Sequence, residues 1–420
     1  MTDRDDNLRI KSITLGCRFN FYESEVAKSM VRKIDPDSDV IIINTCCVTH
    51  EAERQSKQVV RKAIRENPDA KIIVTGCAAK TSSEYFNNLE GVFKVIQNDK
   101  KDDINSYASI SEADKIYDFD DSLVEESDPL FLGKARVFLQ IQNGCDHFCS
   151  YCIIPFTRGS SKSLPIETIL GRVGYFVDHG FKEIVLSGID ITSYGKDLDN
   201  IEFADVLSEI LRKYPTMERI RISSIDPDGV SDRLFDIITN EQRIMPHFHL
   251  SIQSGDNHVL KAMRRRHTRE DVIDLCDRIR KVRDDVIFGS DFITGFPTET
   301  EEMFQNTMKI VDEAGISLLH VFPYSKRSGT LASTFMELPK NIVVDRAQRL
   351  REKSDKVRHK LYESFMGKKV NMIVEKIHDG FSSGKTDHFI PIKIKGEYEV
   401  SDILKDIQIK SFDDEFLYNY

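Results

Sequence analysis

The stretch RVFLQIQNGCDHFCSYC, residues 136–152, joins a short apolar run to three cysteines spaced C-x3-C-x2-C. RVFLQIQ has the length and composition of a buried strand, not of a helix. Cys145, Cys149 and Cys152 follow at once, so they fall in the loop at that strand's carboxyl end. In a barrel of alternating strands and helices, that edge is where active sites are assembled. Three thiols within eight residues are too dense for incidental core cysteines.

Outward from this loop the chain keeps the same rhythm. EIVLSGI, RIRISSI, FHLSIQS, VIFGSDFI and SLLHVFP read as further strands, separated by helix-period stretches such as IETILGRVGYFVDHG and REDVIDLCDRIRKV. Six strand–helix units fall short of the eight of a closed barrel, for which about 250 residues are typical. The spacing predicts an opened (β/α)6 barrel over 132–366, ending in one charged helix over 341–366. From residue 367 to 420 a small β unit is expected. Ile390, Ile392 and Ile394 alternate there with Pro391, Lys393 and Lys395, and Asp379 with Gly380 and Ser383 with Gly384 are turn signals. Residues 1–98 alternate RIKSITLG, DVIIINT, KIIVTG and GVFKVIQ with amphipathic stretches, the pattern of an open parallel α/β sheet. Between them, residues 99–131 are acidic and weakly periodic, as in a linker.

Composition narrows the function classes. With 40% hydrophobic and 30% charged residues the chain is an ordinary globular protein. No apolar leader opens it, and its apolar runs are strand-length, so a cytoplasmic protein without membrane association is expected. A net charge of −10 argues against nucleic acid, yet 261–283 and 346–369 each hold nine Lys or Arg. Such stretches are either solvated helix faces or RNA contacts. Arg264, Arg265 and Arg266, which open the first, are candidates for phosphate contact.

Eight cysteines in a reducing compartment point to metal ligands before disulfides. Zinc wants four ligands, usually in two separated pairs. A single cluster of three suits a [4Fe–4S] cubane with one iron left open. Three more cysteines share a placement: Cys17 follows ITLG, Cys46 follows IIINT and Cys77 follows IIVTG. The carboxyl ends of parallel strands form one edge, where ligands bind. Their convergence predicts a second three-cysteine iron–sulfur site, with Cys47 a spare and Cys276 a core residue.

C-x3-C-x-aromatic-C, with Tyr151 at the aromatic position, resembles the radical S-adenosylmethionine signature. TLGCRFNFYESE, INTCCVTHEAERQS, VTGC, QNGCDHFCSYCIIPFTRG, LSIQSG, MRRRHT and TGFPTET together resemble the methylthiotransferases of that superfamily. The resemblance implies an auxiliary-cluster domain, a radical domain and a C-terminal TRAM-like β-barrel, with two [4Fe–4S] clusters. It implies that Tyr151 lies near the adenine of S-adenosylmethionine. It also implies a methylthio group carried to C2 of a modified adenosine beside the tRNA anticodon. NTC-x-VT and HVFPYSKRSGT are most similar to the subgroup acting on N6-threonylcarbamoyladenosine; other subgroups act on isopentenyladenosine or on a ribosomal-protein aspartate. An electron donor such as a flavodoxin or ferredoxin, and a monomeric chain, are further expectations. Gly188 would let the backbone approach the cofactor, unless it only makes a tight turn. Ser223 and Gln253, at strand ends, would hydrogen-bond its ribose or amino-acid part, unless their bonds are structural. Asp291, in an otherwise apolar strand, needs a polar partner, and the cofactor would supply one. The remaining rival is a non-catalytic iron–sulfur or zinc RNA-binding protein.

Overall fold

A computed structural model describes residues 9–110, 131, 133–199 and 201–420. The chain divides into two compact units. One comprises Met1–Phe131, Gln142–Lys162 and Ser325–Ser333; the other comprises Leu132–Ile141, Ser163–Tyr324 and Thr334–Tyr420.

The first unit is built on four parallel strands in sequential order: β1 (Ile10–Thr14), β2 (Val40–Thr45), β3 (Lys71–Gly76) and β4 (Val92–Val95). Covered on both faces, β2 is a continuous apolar run rather than an alternating one. Successive side chains still point to opposite faces. Val40 and Ile42 pack with Ala27, Met30 and Val31 of α1 (Arg18–Ile34). Ile41 and Ile43 pack with Val60 and Ala63 of α2 (His50–Glu66). The hydroxyl of Thr49 caps α2 by accepting from the Ala52 amide, and Glu51 and Glu53 sit in its first turn, complementing the helix dipole.

Packing on this sheet continues past the boundary expected at residue 99. A 3-10 helix, Ile104–Ile110, buries Ile104, Tyr107 and Ile110 in the α1 face of the core. Three residues per turn align these positions, a period that an α or β reading does not register. The rest of the expected linker, 111–130, lies outside the described residues.

The second unit holds the expected open barrel. Its strands are β5 (Val137–Asn143), with the two-residue β6 (Lys162–Ser163) beside it, then β7 (Glu183–Gly188), β8 (Arg219–Ile222), β9 (His247–Gln253), β10 (Ile287–Thr294) and β11 (Ile316–Pro323). Between β8 and β9 the ladder thins to isolated parallel bridges, one of them Ile225 with Leu250. A 24-residue helix, Lys340–Glu363, follows where 341–366 is expected.

A buried ion cluster marks the amino ends of these strands. Glu183, fully enclosed, takes the Nε atoms of Arg136, Arg219 and Arg221 at 3.0, 2.5 and 2.9 Å. Arg221 also donates to the Thr386 and Asp387 carbonyls at 2.8 Å each. The ring of Phe389 lies over the Arg136 and Arg221 guanidiniums. These partners belong to the C-terminal curled sheet, formed by β12 (Lys369–His378), β13 (Phe381–Thr386), β14 (Pro391–Lys395), β15 (Ile403–Gln408), β16 (Ser411–Phe412) and β17 (Leu417–Tyr418). Ile390, Ile392 and Ile394 are its core, as their alternation predicts. Asp379 and Gly380 make the tight turn between β12 and β13, both with positive φ (50° and 78°). Ser383 and Gly384 make no turn. They lie within β13, where a Cβ on Gly384 would meet the Ile373 carbonyl at 1.8 Å.

Candidate iron–sulfur and cofactor site

Cys17, Cys46 and Cys77 stand just beyond the carboxyl ends of three adjacent strands, as the sequence predicts. Register pairs Thr14 with Asn44 and Thr45 with Gly76, which brings Cys46 level with Cys77. A Cβ on Gly16 would lie 2.9 Å from the Cys46 sulfur, so the loop carrying Cys17 passes close to it. Gly76 has φ +95°, and any side chain there would strike the Thr45 carbonyl at 2.3 Å. Ser56 of α2 clamps the Cys46 backbone, its Oγ accepting from the amide at 3.0 Å and donating to the carbonyl at 2.9 Å. Burial pushes the Cys46 thiol up to about 11. Cys77 is held well below the usual thiol range by a hydrogen bond from Cys47; burial opposes this, and the Arg158 and Lys101 cations assist it. Cys47 itself is buried in the core beside Cys77. Cys276 is buried in its helix, Arg269–Val282.

The loop with Cys145, Cys149 and Cys152 belongs to the same unit. Gly144 has φ +71° and no room for a Cβ, which would lie 1.9 Å from the Ser160 carbonyl oxygen. Gln142 Nε2 donates to the Gly144 carbonyl and to Ser161 Oγ, each at 2.9 Å. The Cys145 amide donates to the Gly159 carbonyl at 3.1 Å, and the Cys152 amide to the Cys149 carbonyl at 3.0 Å. Phe148 takes the left-handed conformation at φ 47°, a strain of order 1–3 kcal/mol that functional loops often carry. All three thiols are partly exposed, and Tyr151 between them is half-buried. Three thiol donors on a loop fixed by its own backbone fit a cluster with one open position.

A short helix, Ile154–Arg158, follows the third cysteine and ends in a residue the sequence reading missed. Arg158 is fully buried. It donates to Glu23 Oε1 at 2.8 Å, Glu23 Oε2 at 3.2 Å and Asn20 Oδ1 at 2.7 Å, and stacks on Phe19 with 4.3 Å to the ring centroid. Glu23 also pairs with Lys101; against the cost of burial, these two cations hold its carboxyl down at about 2. Lys101 donates to Asn98 at 2.8 Å, and Asn98 reaches Cys77 Sγ at 3.8 Å and the Thr157 carbonyl at 2.9 Å. Asn20 accepts from Cys17 Sγ at 3.9 Å. One polar cluster thus touches Cys17 and Cys77 and carries the end of the Cys145–Cys152 segment. Its members lie inside FNFYE, QNDKK and FTRG, where only the cysteines and the apolar pattern drew attention.

In the second unit, Gly188 closes β7, Ser223 follows β8 and Gln253 closes β9. The Ser223 hydroxyl is buried with no hydrogen-bond partner, and Gln253 sits at φ 73°. An orphaned hydroxyl and a strained glutamine at the same edge fit a polar ligand. Asp291 has protein partners where the cofactor was expected: its Oδ1 accepts from His249 Nε2 and His320 Nδ1, each at 3.0 Å. Arg265 is not a surface cation either. Its guanidinium is buried against Asp226 Oδ2 at 2.8 Å and the Ser251 carbonyl at 2.7 Å. Arg266 pairs with Asp228 at 3.1 Å, and Arg264 is exposed with φ 60°. The residues before and after Arg265 face water, but its own register turns it inward.

An open six-strand barrel with a three-cysteine loop after its first strand defines a radical S-adenosylmethionine enzyme. The Radical SAM superfamily model matches residues 139–311, and the model for Uncharacterized protein family UPF0004 matches residues 9–97. The chain is 44% identical to the threonylcarbamoyladenosine tRNA methylthiotransferase MtaB of Rickettsia prowazekii, covering 95% of this chain and 94% of that one. It is 35% identical to the MtaB of Bacillus subtilis over 97% and 94%. It is also 32% identical to the tRNA-2-methylthio-N(6)-dimethylallyladenosine synthase of Staphylococcus haemolyticus over 94% and 81%. Among solved structures, the radical methyltransferase TsrM of Kitasatospora setae shares the fold, with a TM-score of 0.51, 12% identity and coverage of 87% and 73%. The chain belongs to the radical S-adenosylmethionine methylthiotransferase family.

Proposed function

We propose that this enzyme transfers a methylthio group to C2 of N6-threonylcarbamoyladenosine beside the anticodon of tRNA. The observation that carries the reading is the pair of three-cysteine sets held in one unit, in a chain similar over nearly its whole length to relatives named for this reaction. Carbon C2 bears no acidic proton, so a positioned acid or base cannot activate it. Cys145, Cys149 and Cys152 would hold one [4Fe–4S] cluster, and Cys17, Cys46 and Cys77 a second; when bound, the first supplies the electron that cleaves S-adenosylmethionine and the second the sulfur. Tyr151, Gly188, Ser223 and Gln253 bind and orient S-adenosylmethionine. Arg158 and Lys101 offset the negative charge of thiolates beside them, and the apolar core under Cys46 and Cys77 keeps water out. Residues 1–98 are assigned to the auxiliary-cluster domain, 99–131 to an acidic linker, 132–366 to the radical domain and 367–420 to the TRAM-like unit. No helix among the described residues is long and apolar enough to cross a membrane. The reductant is a small electron carrier such as a flavodoxin or ferredoxin, and the chain acts as a cytoplasmic monomer.

Mass spectrometry of tRNA nucleosides from strains with and without the gene tests the substrate. Loss of 2-methylthio-N6-threonylcarbamoyladenosine supports the reading, and its persistence refutes it. Loss of the isopentenyl counterpart instead moves the chain to the activity named for the Staphylococcus relative.

A further inference from the structure

The first unit contains a cavity of about 760 Å³, within the usual range for ligand sites. Three of its walls are the segments that lead away from cysteines. The start of α2 follows Cys46, the helix Cys77–Thr81 brings Lys80, and the helix after Cys152 brings Ile153 and Phe156. Four cations line it (Arg54, Lys57, Lys80 and Arg327) against one carboxylate, Glu53, in a chain whose net charge is −10.

These cations are not equivalent. Arg327 is buried and fixed, donating to Glu53 at 2.5 Å and to His50 Nδ1 at 3.3 Å. Lys57 bonds the other Glu53 oxygen at 2.8 Å, and Arg54 pairs with Glu51 on the helix surface. Lys80 is exposed and has no ion pair among the described residues. Glu51 and Glu53 together offset two of the four cations, so the cleft keeps a net positive field. Beside it, Phe156 and Phe148 are each 51% exposed, in an edge-to-face pair with centroids 6.1 Å apart.

We infer that this cleft binds the phosphodiester and a splayed base of a single-stranded RNA loop, with Lys80 on a phosphate and Phe156 as the stacking platform. Cations beside exposed rings are the combination by which single strands are held, the charge tracking the backbone and the ring taking a base. The cleft is open to solvent on one side, and exposed rings beside unpaired positive charge suit an unstacked base better than the acidic face of a redox partner. The inference rests on the proposed tRNA substrate and deepens it: the contact surface moves from Arg264–Arg265–Arg266, two of which are spent on Asp226 and Asp228, to the neighbourhood of the cysteines.

The test uses the reconstituted full-length enzyme, kept anaerobic, and a fluorescent anticodon stem-loop bearing N6-threonylcarbamoyladenosine. Iron, sulfide and circular dichroism of each variant establish that it is folded and loaded. Phe156→Ala should weaken binding roughly tenfold, the usual scale for one stacked base. Lys80→Ala should flatten the slope of log affinity against log salt by about 0.7, one single-strand phosphate contact. Loaded variants that keep the wild-type affinity and salt slope overturn the inference while leaving the substrate assignment, tested on cellular tRNA, untouched. Unchanged RNA affinity with slower reduction by flavodoxin, but not by dithionite, also overturns it and assigns the cleft to an acidic electron donor.

Discussion

Replacing Arg158 with methionine keeps most of its volume and removes its charge, isolating what the buried cluster contributes. The guanidinium makes two bonds to Glu23 and one each to Asn20 and Asn143, with no solvent contact. Removing one partner of a buried ion pair costs about 3–5 kcal/mol, because the other charge stays uncompensated. Here Lys101 still faces Glu23, so the lower end applies, about 3 kcal/mol. In a unit of this size that corresponds to roughly 6–12 °C in melting temperature. Glu23→Gln should cost at least as much, since it leaves Arg158 and Lys101 as two buried cations with no anion between them. The double variant should cost less than the sum of the singles by 1 kcal/mol or more, the mark of coupled sites. The assay is thermal unfolding together with iron content, in a background where Cys145, Cys149 and Cys152 are alanine and only the second site can be loaded. If Arg158→Met melts within 2 °C of its parent and keeps about four irons, the account of this cluster is wrong.

Replacing Cys145, Cys149 and Cys152 together should halve the iron of the reconstituted enzyme from about eight to about four per chain and abolish formation of 5′-deoxyadenosine; iron analysis and chromatography read both. Gly144→Ala places a methyl group against the Ser160 carbonyl in a left-handed backbone, so it should lose the radical cluster while the second site stays loaded, seen as the same halving of iron. His388 packs edge-on to Phe365 near Asp285; burial lowers its pKa, with the nearby acids opposing. The unfolded chain therefore takes up the proton first, and stability should fall as pH drops below about 6.5. Melting curves from about pH 7.5 to 5.5 should show that loss in the parent and a flatter profile in His388→Gln; identical slopes would remove His388 from the account.

What the sequence discloses follows from which interactions are local. β2 announces itself as VIIINT because a strand covered on both faces is apolar throughout, and Cys46 at its end inherits its position from that strand. The cysteine loop is legible for the same reason: three ligands on one loop need no partner from elsewhere. Arg158, Glu23 and Lys101 are separated by long stretches of chain, and each reads by itself as a solvated charge. Only the assembled unit puts three charges in one dry pocket, where each makes the others tolerable. RIRIS misleads in the opposite direction. Its arginines look like interruptions in an apolar strand, yet alternate residues share a face, and Arg219 and Arg221 meet on Glu183. Arg265 follows the same logic, since a triple arginine suggests one cationic patch while the backbone sends the middle side chain inward to Asp226. Charge composition thus marks where cations are in the chain but not which of them face a ligand. In the cavity beside the cysteines that distinction decides the case. Arg327 and Lys57 are held by Glu53, and Lys80, at the end of a five-residue helix that begins with Cys77, is left to meet a phosphate.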